Sequence, residues 1–246
     1  MNILLLQAGS SEKYREAGYA FPKNLVEIAG QPVIQRVIDN LQPLRQPAGR
    51  FICVLRQDEM LKHHTHMVVD LLCPGTPVCQ VTGDTKGAAC SALLAIGHIN
   101  NDAPLIITNG DQVLLADLPA AIADFQTRRL DGGVIVFDDV HPRWSYVRCN
   151  AEGLVIEAAE KRPISRLATA GFYYFAHGRD FVRATMRMIL KDAHVDGAFY
   201  VCPAYNELLL ENARIGVHPI PRSAYFSLAT PQGAQAYAAH LQKSPR

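Results

Sequence analysis

The chain has little that would mark it for a membrane, for nucleic acid or for an oxidising compartment. Its 246 residues carry 24 Lys and Arg against 23 Asp and Glu, a formal net charge of +1. So even a balance indicates neither general electrostatic binding to nucleic acid nor charge-driven disorder. No apolar run is long enough to span a bilayer, and the first one is too short for a signal-peptide core and lacks a basic leader. A cytoplasmic chain with no membrane or nucleic-acid partner is expected; association as a homo-oligomer is left open. Cysteine pairs are missing as well. Cys53, Cys73, Cys79, Cys90, Cys149 and Cys202 are scattered, with no Cys-x-x-Cys, and most have apolar neighbours. Buried free thiols fit this pattern better than zinc or a disulfide framework. Repeats and low-complexity tracts are absent, and the one histidine cluster (His63, His64, His66) reads as a solvated helix face rather than a metal site.

Familiar glycine fingerprints are lacking too. Gly-x-Gly-x-x-Gly would need glycines where Ser11 and Tyr14 stand, and the P-loop Gly-Lys-Ser/Thr does not occur in this loop. What stands there instead is a strand-like run at 3–7, then Ala8-Gly9-Ser10-Ser11-Glu12-Lys13, with Pro22-Lys23 downstream. Gly and Ser let backbone N–H groups approach a phosphate, and Lys supplies a point charge from a flexible stem, so anion binding is expected. An ordinary strand-to-helix turn uses the same residues.

Core material is abundant, with 49% of the residues hydrophobic. Apolar runs of strand length recur at 3–7, 51–55, 78–81, 105–108 and 133–137. Between them lie helical stripes, such as Val33, Ile34, Val37, Ile38 and Leu41, and the segment 88–99. Runs that are apolar throughout and alternate with helices predict an α/β fold: a doubly wound, mixed but mostly parallel sheet covered on both faces. Ligands on such sheets bind beyond the carboxyl ends of the strands. After 137 the pattern becomes mixed. Segments 145–149 and 154–159 flank a hairpin turn at Asn150-Ala151-Glu152-Gly153. A strand at 168–175, helices at 180–190 and 200–212, a strand at 215–220 and a last helix from Pro231 follow. No linker divides the chain, so a single domain over 1–246 is expected, with a nucleotide-binding half to about 112 and an acceptor-binding half after it.

Three further segments carry chemistry. Asn109-Gly110-Asp111-Gln112 puts a carboxylate at the tip of a buried strand, facing the same crevice as the Gly9 loop. Mg²⁺ favours one or two carboxylates plus substrate phosphates, which makes Asp111 a candidate ligand; an Asp closing a turn is the plainer role. The loop from Gln80 to Ala89 is rich in small residues, and amides near Gly87 and Ala88, with the Gln80 side chain, could read a base edge. Close packing at a helix start would select the same residues. Glu160-Lys161 ends a strand with an acid and a base, either an acceptor clamp or a surface charge cluster. The single tryptophan, Trp144, is expected to pack in the core, with a wall of the acceptor pocket as the alternative.

Taken in order, these segments resemble the sugar-phosphate nucleotidyltransferases, the pyrophosphorylase family, whose sheet is shared with GT-A glycosyltransferases. The family's Ala-Gly-x-Gly-x-Arg, Pro-Lys-x-Leu and Gly-x-Pro correspond to Ala8-Gly9-Ser10-Ser11-Glu12-Lys13, Pro22-Lys23-Asn24-Leu25 and Gly30-Gln31-Pro32. Asn109-Gly110-Asp111, Glu160-Lys161, Ala170-Gly171-Phe172-Tyr173 and Ala229-Thr230-Pro231 follow in order. Ala17-Gly18-Tyr19, Trp144-Ser145-Tyr146, Ile164-Ser165 and Phe199-Tyr200-Val201-Cys202-Pro203 resemble members from capsule and surface-polysaccharide clusters, some of them cytidylyltransferases.

The resemblance implies that a phosphate oxygen of a small acceptor attacks the α-phosphorus of a nucleoside triphosphate, CTP by preference, and expels pyrophosphate with Mg²⁺ as cofactor. It implies catalytic roles for Lys13 at the leaving pyrophosphate, Lys23 at the α-phosphate and Asp111 at the metal. Gln7, Ala8, Gly9, Ser10, Ser11, Gln80, Gly87, Ala88 and Asn109 would bind nucleotide; Tyr146, Glu160, Lys161 and Gly171 would bind the acceptor. Four positions depart from the pattern. Lys13 replaces Arg, Ser11 replaces Gly, Ala198 replaces Glu, and Ser227 stands where the family's Asp-x-Gly-Thr carries a second metal ligand. These departures keep two alternatives open, a non-catalytic nucleotide-binding regulator and a GT-A glycosyltransferase, although the latter wants Asp-x-Asp and Asp111 is a lone carboxylate.

Overall fold

A computed structural model describes residues 1–45 and 49–243. Among them the strands are β1 (Asn2–Leu6), β2 (Glu27–Ile28), β3 (Gln31–Pro32), β4 (Arg50–Arg56), β5 (Val78–Val81), β6 (Leu105–Asn109), β7 (Gln112–Leu114), β8 (Gly132–Asp138), β9 (Ser145–Cys149), β10 (Val155–Glu160), β11 (Leu167–Phe175), β12 (Ile215–Pro219) and β13 (Tyr225–Ser227). The helices are α1 (Glu12–Glu16), α2 (Val33–Leu41), α3 (Gln57–His63), α4 (Thr65–Leu72), α5 (Ala88–Leu93), α6 (Ile96–Ile99), α7 (Leu118–Thr127), α8 (Gly178–Leu190), α9 (Ala204–Leu209) and α10 (Pro231–Lys243).

Nine strands join in one mixed sheet, and the doubly wound α/β architecture expected from the sequence is present. β5, β4, β1 and β6 run parallel, with Ile3 opposite both Phe51 and Ile106. β11 then pairs antiparallel with β6 and with β8, and touches β9 of the β9–β10 hairpin. β12 closes on β8 in parallel. Because side chains alternate across a strand, each central strand feeds two cores. Ile3, Leu5, Cys53, Leu55 and Ile106 pack on the face covered by α2 and α7. Leu4, Ile52, Val54, Leu105 and Ile107 pack on the face covered by α5, α8 and α9. The stripe on α2 is buried from Val33 to Leu41 at the expected helical spacing, and each such side chain contributes about 1.5–3 kcal/mol relative to exposure.

The segment expected as one helix over 88–99 is two, because the chain turns at Leu94-Ala95 and so lets Ile99 bury against the sheet. The helix expected over 200–212 is confined to α9, since Pro203 takes the N-cap position and the residues before it form a turn. His64 adopts a left-handed conformation (φ 54°) between α3 and α4, so the histidines straddle a break rather than share one helix face. All six cysteines are free. Among the described residues no helix is long and apolar enough to cross a membrane.

Candidate active site

Two loops at the carboxyl ends of adjacent strands meet over the sheet. The Gly9 loop follows β1, and Asp111 follows β6, which lies beside β1 in register from Asn2–Leu105 to Leu6–Asn109. Lys23 joins them from a short 3₁₀ turn. Its backbone N–H donates to Ser11 Oγ at 3.0 Å, and its Nζ donates to Asp111 Oδ2 at 2.5 Å. The Lys23 side chain is almost wholly buried while Asp111 keeps 23% of its surface open, so the carboxylate of this ion pair faces outward. A Cβ on Gly9 would stand 2.9 Å from Lys23 Nζ, so a larger residue there would have to displace that ammonium. Ser11 Oγ donates to Glu59 Oε1 at 2.8 Å, and Asn24 Nδ2 donates to Glu59 Oε2 (3.3 Å) and to the carbonyl of Gln7 (2.9 Å). Burial pushes the Glu59 carboxyl up, an effect that the Ser11 hydrogen bond and the nearby Lys23 charge reduce.

The pair opens into a cleft of about 580 Å³. One wall comprises Ala8, Gly9, Ser10, Gly87, Ala88 and Asn109, all from the first half of the chain. The opposite wall comes from the second half of the chain: Trp144, Ser145, Glu160, Gly171, Tyr173 and Tyr200. Gly171 sits at a bulge of β11 with φ 61°, and a Cβ there would lie 2.1 Å from Asn109 Nδ2. Its carbonyl accepts from Gln112 Nε2 at 3.0 Å, which ties the second-half wall to the Asp111 turn. Glu160 is buried and accepts from Ser145 Oγ, and burial holds its carboxyl above the ordinary glutamate range, with Ser145 and Lys161 pulling it back. β13 pairs with β7 so that Ser227 lies opposite Gln112, and Leu228 N–H donates to the Asp111 carbonyl at 2.7 Å. Ser227 therefore lines the cleft beside Asp111.

A family model described as Nucleotidyl transferase matches residues 2–192. The chain belongs to the nucleotidyl transferase family. It is similar to the UTP–glucose-1-phosphate uridylyltransferase AglF of Haloferax volcanii, 26% identical over 71% of this chain and 72% of that protein. It is also similar to the bifunctional protein GlmU of Methanocaldococcus jannaschii, 24% identical over 71% of this chain but only 40% of that longer relative. Its fold is that of a nucleoside-diphosphate-sugar pyrophosphorylase structure from Vibrio cholerae, with a TM-score of 0.82, 22% identity and coverage of 97% of this chain and 100% of that one. A UDP-glucose pyrophosphorylase structure in complex with UDP-glucose gives a TM-score of 0.73 at 14% identity, covering 99% of each chain.

In this nucleotidyltransferase the residues singled out from sequence divide into three groups. Ala8, Gly9, Ser10, Gly87, Ala88, Asn109, Asp111, Glu160 and Gly171 line the cleft. Lys23 stands directly behind it, and Ser11 turns into a neighbouring pocket of about 390 Å³. Gln7, Lys13, Gln80, Tyr146 and Lys161 do not line it. Gln7 is buried, its carboxamide without a hydrogen-bond partner among the described residues, and strand alternation sends it to the opposite face from Leu6 and Ala8. Tyr146 is in the core for the same reason, its neighbour Ser145 taking the cleft side, and its hydroxyl donates to the His141 carbonyl. Gln80 is exposed and accepts from Gln57 Nε2 at 3.4 Å. Lys13 is exposed on α1. Lys161 Nζ is engaged by Asp196 Oδ2 at 3.2 Å and lies 5.3 Å from the Tyr200 ring centroid.

Sequence reasoning missed Arg143, Tyr173, Tyr200 and Tyr225 as lining residues, and Trp144 does two jobs. One part of its ring packs against the core beside Phe137 and Tyr225 while another faces the cleft. A cluster of aromatics around a lone tryptophan is a signal, but four of these residues come from separate strands and loops. Asp111 also suits Mg²⁺ in a specific way. Among the described residues no three His, Cys, Asp or Glu converge, so a protein-only cage is lacking, whereas one cleft-facing carboxylate beside room for phosphates is the donor set that Mg²⁺ takes with a nucleotide.

Proposed function

We propose that the chain moves a nucleoside monophosphate from a pyrimidine nucleoside triphosphate to a phosphorylated small acceptor, releasing pyrophosphate, in the service of surface-polysaccharide assembly. The observation that carries this reading is the Lys23–Asp111 pair, held at the β6 tip against the Gly9 loop and facing a cleft whose far wall belongs to the other half of the chain. A triphosphate on the Gly9 side and an acceptor against Glu160 and Tyr173 would meet in front of Asp111. The pyrimidine preference rests on the relative named for uridylyl transfer and on the resemblance to cytidylyltransferases.

The acceptor's phosphate oxygen forms the new bond to the α-phosphorus as the bond to the bridging oxygen of the pyrophosphate breaks; no covalent enzyme intermediate is needed. Asp111 would hold Mg²⁺, which when bound neutralises phosphate charge. Lys23 fixes the Asp111 carboxylate and adds positive charge beside the α-phosphate, whereas Lys13, exposed on α1 and not lining the cleft, would have to swing inward to meet the departing pyrophosphate. Positioning and charge neutralisation are the whole of the catalysis. Glu160, kept in place by Ser145, accepts hydrogen bonds from acceptor hydroxyls.

The test is pyrophosphate release with CTP, UTP, dTTP, ATP and GTP, each with Mg²⁺ and a panel of sugar 1-phosphates and other phosphorylated small molecules. Release with a pyrimidine triphosphate supports the reading. Triphosphate binding without release across the panel would instead make the chain a nucleotide-binding regulator, and turnover only of nucleoside-diphosphate sugars would make it a glycosyltransferase.

A further inference from the structure

Two guanidinium groups line the cleft, and they are not equivalent. Arg56, near the Gly9 loop, is neutralised by Asp58 at 3.1 Å and Asp84 at 2.9 Å. Arg143, on the acceptor side, forms no ion pair among the described residues. It lies instead on the indole of Trp144, with its guanidinium carbon 4.3 Å from the ring centroid. That indole is fixed from several directions. Its Nε1 donates to Asp139 Oδ2 at 3.0 Å, Phe137 and Tyr225 stand edge-on at 5.2 Å, and Arg222 packs 5.6 Å from its centroid. Asp139 is the carboxylate nearest in sequence, and it is already committed to the N–H groups of Val140 and His141, to Trp144 and to Arg222.

A guanidinium stacked on an aromatic face keeps its planar edge free for a bidentate contact with an anion, and the stacking holds that edge in place beforehand. Lys161, which does not line the cleft, is less available, since its ammonium is already shared between Asp196 and the Tyr200 ring. We propose that Arg143, laid on Trp144, anchors the anionic group of the acceptor, and that Lys161 adds to this contact only after leaving Asp196. The assignment to an acceptor rests on the transfer reaction proposed above; the anion site itself does not need turnover.

Trp144 is the only tryptophan in the chain, so its emission reports on the platform directly. Wild type, R143Q, R143K and K161Q would be titrated with inorganic phosphate and with glucose 1-phosphate, alone and with α,β-methylene analogues of CTP and UTP. Wild type and K161Q should show a saturable change in emission. R143Q should bind at least about tenfold more weakly, and R143K, which keeps the charge and loses the fork, about threefold more weakly. Melting curves check that each variant is folded. In steady-state assays R143Q should raise the acceptor KM and leave the triphosphate KM unchanged, a split that general loosening of the fold would not give. No emission response in wild type, or R143Q binding equal to wild type, overturns the proposal. A saturable, Arg143-dependent response in a chain that releases no pyrophosphate supports the anion site and refutes the transfer reaction.

Discussion

At the residue scale, the departure at Ser11 has a structural account. Its hydroxyl accepts from the Lys23 N–H and donates to Glu59, so the serine fastens the lysine turn to α3 at a place where glycine would leave both groups to find other partners. Lys23 is thereby held by its backbone as well as by Asp111. Asp111→Asn should keep the fold and lower pyrophosphate release by about 100-fold or more, the scale of losing one preorganised charge contact in a closed site. Unchanged turnover at saturating Mg²⁺ would reject the role of this carboxylate. Glu160 gives a pH prediction. Burial raises its carboxyl pKa in the folded state, so its contribution to stability is fully present below the unfolded value and lost as pH rises through the folded one. Glu160→Gln keeps an acceptor for Ser145 and removes that dependence. Its melting temperature relative to wild type should therefore climb from about pH 4 to about pH 8. A constant difference in thermal melts across that range would show that burial of the carboxyl is not what governs it.

At the scale of elements, the loop between β5 and α5 is braced by a segment from the other half of the chain. Phe199 N–H donates to the Lys86 carbonyl at 2.8 Å, and Ala89 N–H donates to the Phe199 carbonyl at 3.0 Å. Gly87 lies between them at φ 103°, and a Cβ there would be 2.4 Å from the Phe199 oxygen. Close packing requires the glycine, and Gly87 and Ala88 also line the cleft, whereas Gln80 does not. Gly87→Ala should cost about 1–3 kcal/mol from overpacking, read as a lower urea midpoint, and should weaken triphosphate binding more than acceptor binding. Equal stability would mean that the brace yields without cost. The β7–β13 ladder, which brings Ser227 beside Asp111, was not legible beforehand, because each strand is three residues long and their partnership spans half the chain.

At the scale of the molecule, β11 ties the halves together. It lies between β6 of the first half and β8 of the second, with Phe172 opposite Thr108 and Thr169 opposite Val136. A fragment ending at residue 112 would leave the β6 edge bare and remove Phe172 and Phe175 from the two cores, so it should not fold alone. Far-UV circular dichroism of that fragment, set against a single cooperative urea transition for the whole chain, checks this; a folded fragment would separate the halves thermodynamically.

The sequence by itself determined the strands and helices with long periodic patterns, the order β1, loop, α2 that places an anion-suited turn at a strand end, and the carboxylate at the tip of β6. These are local matters of side-chain spacing and backbone freedom, and spacing is written along the chain. Only the tertiary structure decided which side chains share the cleft. Strand alternation turned Gln7 and Tyr146 away, Asp196 drew Lys161 aside, and the cleft wall laid Arg143 on Trp144 with no ion-pair partner among the described residues. The physical reason is that a charge's role depends on what neutralises it, and those partners are set by packing across the sheet rather than by proximity in sequence.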